Sequence, residues 1–463
     1  MARLLDLPSE LLVTIFELAT DNPTRNIDEF ASLPRFEPIY REGAAELCKS
    51  AFRTKSSLTL VCKTFRRLTL RLLYEYIWIR HGCTYLLEAL ELSKKTSRPG
   101  SDLGSYVKRV SISIPARGES ETHQSWDPIF EAARSILSLC PDVCAISRPH
   151  EILPGERQED GEVELHSPSN PIDDLDFPHL HRVDWYNTHS DLPFASIPSP
   201  RFIWNSNSLR VLIVGADNFP SRPDDGQDQE IVISLPNLHT LGIRSFNTFG
   251  YEGRPCTLHL PSLRRLIIGR PEAIYNFYSG CLAPFGSQIT EIELEPDVRF
   301  LRHDFVTTLL CYCPNVRDLC IPIGTTRPVN RTEIPRVVTS FVVERVWLHA
   351  AFPGSPKPGT GTGIGIGIGI GTGSGRIVYD YKDVPWWTLL REHFECFCGT
   401  SSRFTKLERI MLCGEEWRET VEDERFAELV RLTRVKGVNV ECEDKKLQDK
   451  ITKLVEVTLQ ENL

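Results

Sequence analysis

No stretch of this 463-residue chain approaches the roughly 18 consecutive apolar residues that a membrane-spanning helix needs. An excess of basic residues is also missing: 53 Lys and Arg stand against 62 Asp and Glu, a net charge of −9, and the pI is near 5.8. A surface that wraps nucleic acid wants the opposite balance. The first ten residues, MARLLDLPSE, carry acids where a secretion signal would hold its apolar core. The chain is therefore expected in the cytoplasm, the nucleus or both, with neither membrane nor nucleic acid as a partner.

Catalytic signatures are absent as well. The sequence holds no G-x-S-x-G elbow, no H-E-x-x-H and no G-x-x-x-x-G-K-[ST]. Its 14 cysteines include no paired C-x-x-C; the closest spacings are Cys311-Tyr-Cys313 and Cys396-Phe-Cys398, a weak metal signal. Most cysteines lie in apolar contexts such as Leu60-Val61-Cys62, so they read as reduced thiols rather than disulfides. His393-Phe-Glu395 beside Cys396 and Cys398 has the wrong spacing for a zinc deaminase. His179, His181 and the acids Asp173, Asp174 and Asp176 read as surface charge. No metal, no cofactor and no enzymatic activity of the chain's own are expected.

What the chain has is apolar patterning. At 41% hydrophobic and 25% charged residues it is of ordinary globular composition, long enough for one large domain or two smaller ones. Leu11, Leu12, Ile15, Phe16 and Ala19 form one stripe of an amphipathic helix that begins at Pro8-Ser9-Glu10, where a first-turn proline and an early carboxylate suit a helix start. Leu58, Val61, Phe65, Leu68 and Leu72 repeat the pattern at steps of 3 and 4. Helices so short carry more apolar surface than a unit of this size can hide, which points to a docking face.

These residues resemble the F-box, a short helical module. Leu7 and Pro8 match its leading Leu-Pro; Leu11, Leu12, Ile15 and Phe16 match its first helix; Val61, Cys62, Phe65 and Leu68 match its V-C-x-x-[FW]-x-x-[LI] segment. The resemblance implies that these ten residues bind a Skp-type adaptor and, through it, a cullin scaffold. Typical members have only a few residues where this chain has Thr20 to Ser57, so that insert, with Pro23, Pro34 and Pro38, is expected to loop out (about 21–57) of a module spanning 1–80. A small helical subdomain packed on its own chain is the plainer alternative.

Beyond it a phrase recurs: apolar-x-x-apolar-x-apolar. It runs through Val107-Lys-Arg-Val110-Ser-Ile112, Val143-Cys-Ala-Ile146, Leu180-His-Arg-Val183-Asp-Trp185 and Leu209-Arg-Val-Leu212-Ile-Val214. It continues from Leu238, Leu263, Ile289, Val316 and Val343, and ends at Leu407-Glu-Arg-Ile410-Met-Leu412. From 180 to 343 the steps are 25 to 29 residues, the period of a stacked solenoid whose single units cannot bury their own apolar face. The phrase looks like the core of leucine-rich repeats, with the Asn or Cys that usually follows the strand mostly missing. Segments such as Pro128–Cys140 and Asp304–Cys313 read as the intervening helices, each stopped at Cys-Pro. The expected fold is α/β: a small all-α module, then a degenerate leucine-rich-repeat-like solenoid over 81–442, then a helical cap or tail over 443–463. An ordinary α/β domain whose buried strands begin with Pro-x-Leu is the alternative.

Three segments break the rhythm. Glu151–Asp176 reads as an acidic, proline-containing loop, and Gln227–Glu230 with the preceding Pro-Asp-Asp-Gly as a smaller one. Gly359–Gly375, GTGTGIGIGIGIGTGSG, lacks the flanking strand and helix of a phosphate loop and reads as a flexible tether. Past the last phrase, Asp423–Leu432 and Asp444–Leu459 read as helices around a short strand at Val438–Glu441.

Alternation within each phrase assigns the solenoid's exposed rungs to Arg182 and Asp184, Thr240 and Gly242, Arg265 and Ile267, Glu291 and Glu293, Arg345 and Trp347, and Arg409 and Met411. That mixture of cations, acids and large apolar groups suits a protein target, with Trp347 and Arg345 of the types that dominate interface energetics. The expectation is a non-catalytic substrate receptor of a Skp-cullin-F-box ubiquitin ligase. A scaffold that binds partners on leucine-rich-like repeats without supporting ubiquitination is the alternative.

Overall fold

The computed structural model describes residues 7–20, 35–36, 44–79, 83–98, 101–112, 127–147, 172, 174–185, 201–204, 206–214, 232–243, 257–269, 282, 284–301, 304–329, 340–350, 386–414 and 416–460. The chain is mixed α/β and divides into two compact units, Met1–Ser262 and Leu263–Leu463. The acidic loop over 151–171, the segment 224–230 and the glycine run 359–375 lie outside the described residues.

Among the described residues the first unit starts with three helices, α1 (Ser9–Ala19), α2 (Ala44–Val61) and α3 (Lys63–Tyr74). Helix α1 begins directly after Pro8, whose carbonyl accepts from the Leu12 amide at 3.1 Å. Helix α2 corrects the expectation that all of Thr20–Ser57 loops out. The three prolines of the insert all precede Ala44, and AAELCKSAFRTKSSLTLV holds neither Pro nor Gly, so nothing interrupts a helix until Cys62. There the backbone turns extended, and the Cys62 Sγ accepts the Phe65 amide at 3.5 Å, capping α3.

Leu12, Phe16, Phe65 and Leu72 form a small core, with Leu7, Leu58, Cys62 and Leu68 packed on its edge. The rings of Phe16 and Phe65 meet edge to face at 4.7 Å. Two of the paired apolar positions of α1 thus point inward, while Leu11, Ile15, Leu18 and Ala19 face outward. The single stripe read from the sequence is two faces.

Strand β1 (Tyr76–Ile79) follows α3 at once and pairs in parallel with β2 (Arg109–Ile112). Between them lies α4 (Thr84–Thr96), and α5 (Asp127–Leu137) leads to β3 (Ala145–Ser147). The unit continues through β4 (Arg182–Trp185), the short α6 (Arg201–Trp204), β5 (Val211–Val214), β6 (Val232–Ser234), β7 (Thr240–Ile243) and β8 (Thr257–His259). Strands β1, β2, β3, β4, β5 and β7 pair in that order, all parallel; β6 and β8 form a separate parallel pair.

The second unit repeats the arrangement with β9 (Arg265–Ile268), β10 (Glu291–Leu294), α7 (Phe305–Tyr312), β11 (Asp318–Pro322), β12 (Arg345–His349), α8 (Trp386–Cys398) and β13 (Arg409–Cys413). Helices α9 (Trp417–Glu422) and α10 (Glu424–Val435), strand β14 (Asn439–Cys442) and helix α11 (Lys445–Gln460) complete it. Its six described strands also pair parallel in chain order. Each phrase of the sequence has become one strand, and its apolar residues fall into register: Val183, Leu212 and Leu241 in one unit, and Leu266, Ile292, Leu319, Val346, Ile410 and Val440 in the other. Nearly all are fully buried, which drives the stacking at about 1.5–3 kcal/mol per large side chain.

Two devices join the segments that lead into successive strands. Asn237 and Asn315, each inside a Pro-Asn step before a strand, donate their side-chain amides to the carbonyls of Asn207 and Ser287, at 2.7 and 2.6 Å. Gly104 and Gly286 sit in short 3-10 turns where a Cβ would collide with the carbonyl oxygens of Leu139 and Tyr312, each the residue before a Cys-Pro. At the chain's end, α10 closes on Gly437 at φ 75°, with Gly437 donating to Arg434 and Val438 to Thr433.

Candidate functional site

Two surfaces collect the residues singled out by sequence. On the helical unit, Leu12, Phe16 and Phe65 are core, and Leu7, Cys62 and Leu68 are half-buried against them. Pro8, Leu11, Ile15 and Val61 remain exposed. Leu11 is 51% exposed and Val61 62%, and with them stand Leu18 at 72% and Leu60 at 85%. The pattern reading misses the last two, though Leu60 sits inside the quoted Leu60-Val61-Cys62. Single exposed leucines are normal, but five exposed aliphatic residues on two helices that also carry an inner face are a concentrated apolar surface.

The strand rungs behave differently from the expectation. Arg182, Asp184, Thr240, Arg265 and Glu293 are buried, not presented outward, and Glu291 and Trp347 are half-buried. Arg345 and Arg409 are exposed as expected. For Arg265 the physical reason is cross-strand pairing: parallel neighbours stand about 4.8 Å apart, so its long side chain meets the carboxylates of the next strand before it reaches solvent; Arg182 and Asp184 are buried as a pair within β4 itself. Arg182 and Asp184 form a fork, Nε to Oδ1 at 3.1 Å and Nη2 to Oδ2 at 2.8 Å. Arg265 reaches Glu293 at 2.5 Å and Glu291 at 3.2 Å.

Asp318, absent from the sequence-derived rungs although it occupies the same position of its phrase, closes the second knot. One of its carboxylate oxygens accepts from Arg345 Nη2 at 2.6 Å, the other from the Trp347 indole N–H at 3.0 Å. Burial pushes the Glu293 carboxyl above its ordinary range, and Arg265 opposes that shift. Glu291, Glu293 and Cys320 offer donor atoms within 4.8 Å of one another. The Arg265 guanidinium already supplies positive charge to both carboxylates, so these groups read as an ion-pair knot.

His393 and the buried cysteines belong to the core. His393 is fully buried on α8 and donates Nε2–H to the Thr326 carbonyl at 2.9 Å; burial lowers its pKa to about 4. Cys313 and Cys398 are pushed up to about 12 by burial, the opposite of an activated thiolate. The described cysteines are all free thiols. No helix among the described residues is long and apolar enough to cross a membrane. Neither a protein-family model nor a curated protein matches the sequence.

Proposed function

We propose that the chain is the substrate-recognition subunit of a Skp-cullin-F-box type ubiquitin ligase, in which the helical unit binds the Skp-type adaptor and leucine-rich-like repeats bind a target protein. One observation carries this reading. The three-helix unit buries Leu12, Phe16, Phe65 and Leu72 for its own stability and still leaves Leu11, Ile15, Leu18, Leu60 and Val61 exposed. An apolar face kept outside a satisfied core is what helix-in-groove docking uses.

The repeat reading is supported by ten phrases that each form one strand, paired in parallel to the next within its unit. On that sheet the paired Arg345 and Arg409, with the half-buried pair Trp347 and Met411 two residues further along, are the rungs left to meet a target. The chain would act by proximity, raising the effective concentration of target near a ubiquitin-charged enzyme, with no covalent step of its own.

Capture of a purified Skp-type adaptor tests it. The wild-type chain should retain the adaptor, and Leu11→Asp/Ile15→Asp should lose it with an unchanged circular dichroism spectrum. No capture by the wild type would remove the ligase role and leave a repeat-built binding scaffold.

A further inference from the structure

Three neighbouring strands of the first unit's main sheet, β4, β5 and β7, are entered through the same phrase, and the residue after its first leucine is His181, Arg210 and His239 in turn. Backbone hydrogen bonds stack these residues side by side: the Arg210 amide donates to the His181 carbonyl and the His239 amide to the Arg210 carbonyl, both at 2.8 Å. Register therefore forces three nitrogen-rich side chains onto one edge, about 4.8 Å apart.

That edge is hollow. A groove of about 460 Å³ is lined by His181, Ser208, Arg210, Asn237, His239 and Ser262. Among the described residues lining it there is no Asp or Glu. The Arg210 guanidinium, on an exposed residue, has no protein partner among the described residues, unlike the arginines of the strand rungs. The Ser208 hydroxyl is committed to the Leu180 carbonyl at 2.8 Å and the Asn237 amide to Asn207, so both walls are held in place. A concavity of donors with one fork-shaped cation left unpaired among the described residues is chemistry for a tetrahedral dianion.

We propose that this groove binds a phosphate group, with Arg210 as its principal anchor and His181 and His239 as flanking donors. The site is separate from both surfaces assigned above and does not rest on the ligase reading. Imidazole protonation belongs to its mechanism. Burial, then Arg210, then His179 lower the pKa of His181, so in the free protein it is neutral near pH 7. A bound dianion opposes the Arg210 repulsion and favours the protonated ring. Binding should therefore take up protons and strengthen as pH falls. Asp174 and Asp176 line the neighbouring hollow, which shares Ser208; Arg134 holds Asp174 at 3.3 Å.

Calorimetric titration of the full-length protein with inorganic phosphate, and separately with a capped peptide carrying one phosphoserine, decides the matter. Saturable binding weakened about tenfold or more by Arg210→Ala is expected, with Arg317→Ala, an exposed arginine of the second unit, as the charge control left unchanged. Tighter binding of the peptide than of the free anion would assign a phosphorylated polypeptide; equal binding would assign free phosphate. Sulfate, whose charge is constant over the range, should bind more tightly at about pH 6 than at about pH 8, and His181→Gln/His239→Gln should flatten that dependence. No saturable binding of either phosphate probe overturns the proposal. So does an affinity that folded Arg210→Ala and the His181→Gln/His239→Gln chain both retain.

Discussion

Asp318 holds Arg345 on one carboxylate oxygen and the Trp347 indole on the other, so a single buried acid sets the posture of two residues on the neighbouring strand. Asp318→Asn keeps the shape and removes the charge. Arg345 is partly exposed, so its half of the pair is screened by solvent and contributes little; the Trp347 half is better sheltered. A stability loss of about 1–2 kcal/mol in urea unfolding is expected. A double-mutant cycle with Trp347→Phe should show coupling of at least about 0.5 kcal/mol, and strict additivity would mean the indole bond is not formed in solution.

The two faces of α1 separate core from surface. Phe16→Ala should cost about 3–4 kcal/mol, because it empties the edge-to-face contact with Phe65. Leu11→Ala, one helical face away, should stay within about 0.5 kcal/mol. Equal costs in thermal unfolding would mean that both residues are core.

Gly286 and Gly437 are both glycines by necessity, for different reasons. Gly286→Ala drives a methyl group into the Tyr312 carbonyl oxygen and should cost about 3 kcal/mol, since the backbone must move. Gly437→Ala has open space around it and meets only the left-handed backbone, so about 1 kcal/mol is expected. Denaturant midpoints of the two variants give the ordering directly.

His393 makes stability depend on acid. Its folded pKa is about 4, below the ordinary 6.5, so the unfolded chain binds the proton more readily. The stability that follows from the neutral buried ring is full above about pH 6.5 and is lost as pH falls toward 4, by about 3 kcal/mol at 1.36 kcal/mol per pH unit. His349, also lowered to about 4, adds in the same direction. His393→Gln, able to donate to Thr326, should flatten the pH dependence of unfolding by about one proton over that window. An unchanged slope would contradict a neutral His393.

How much of this can be read from residues alone follows from the range of the forces involved. Alternation within six residues is local, so every phrase from Val107 to Leu407 marks its strand, and Gly437 falls where a helix must end before Val438. The helix over Ala44–Val61 is obscured because it lies behind three prolines and carries little amphipathic order. Burial of Arg265 and Glu293 is not legible at all. Their positions alternate correctly, but their exposure depends on partners 28 residues apart, which only the register brings together. Asp318 escapes notice for the same reason. The amide bonds of Asn237 and Asn315 to the carbonyls of Asn207 and Ser287 are hidden in the same way, since each partner lies about 30 residues earlier in the chain.

Strictly sequential pairing has a kinetic corollary. Within each unit every strand of the main sheet finds its partner in the preceding or following repeat, so each closure spans a few tens of residues and its entropic cost grows only slowly with loop length. Assembly can then start at any well-formed neighbouring pair and extend strand by strand. In the second unit β14 covers the β13 edge, and α10 and α11 pack against each other beside it. Trimming the chain back past Asn439 would leave β13 as an open template for other strands, and loss of solubility would precede loss of helical signal.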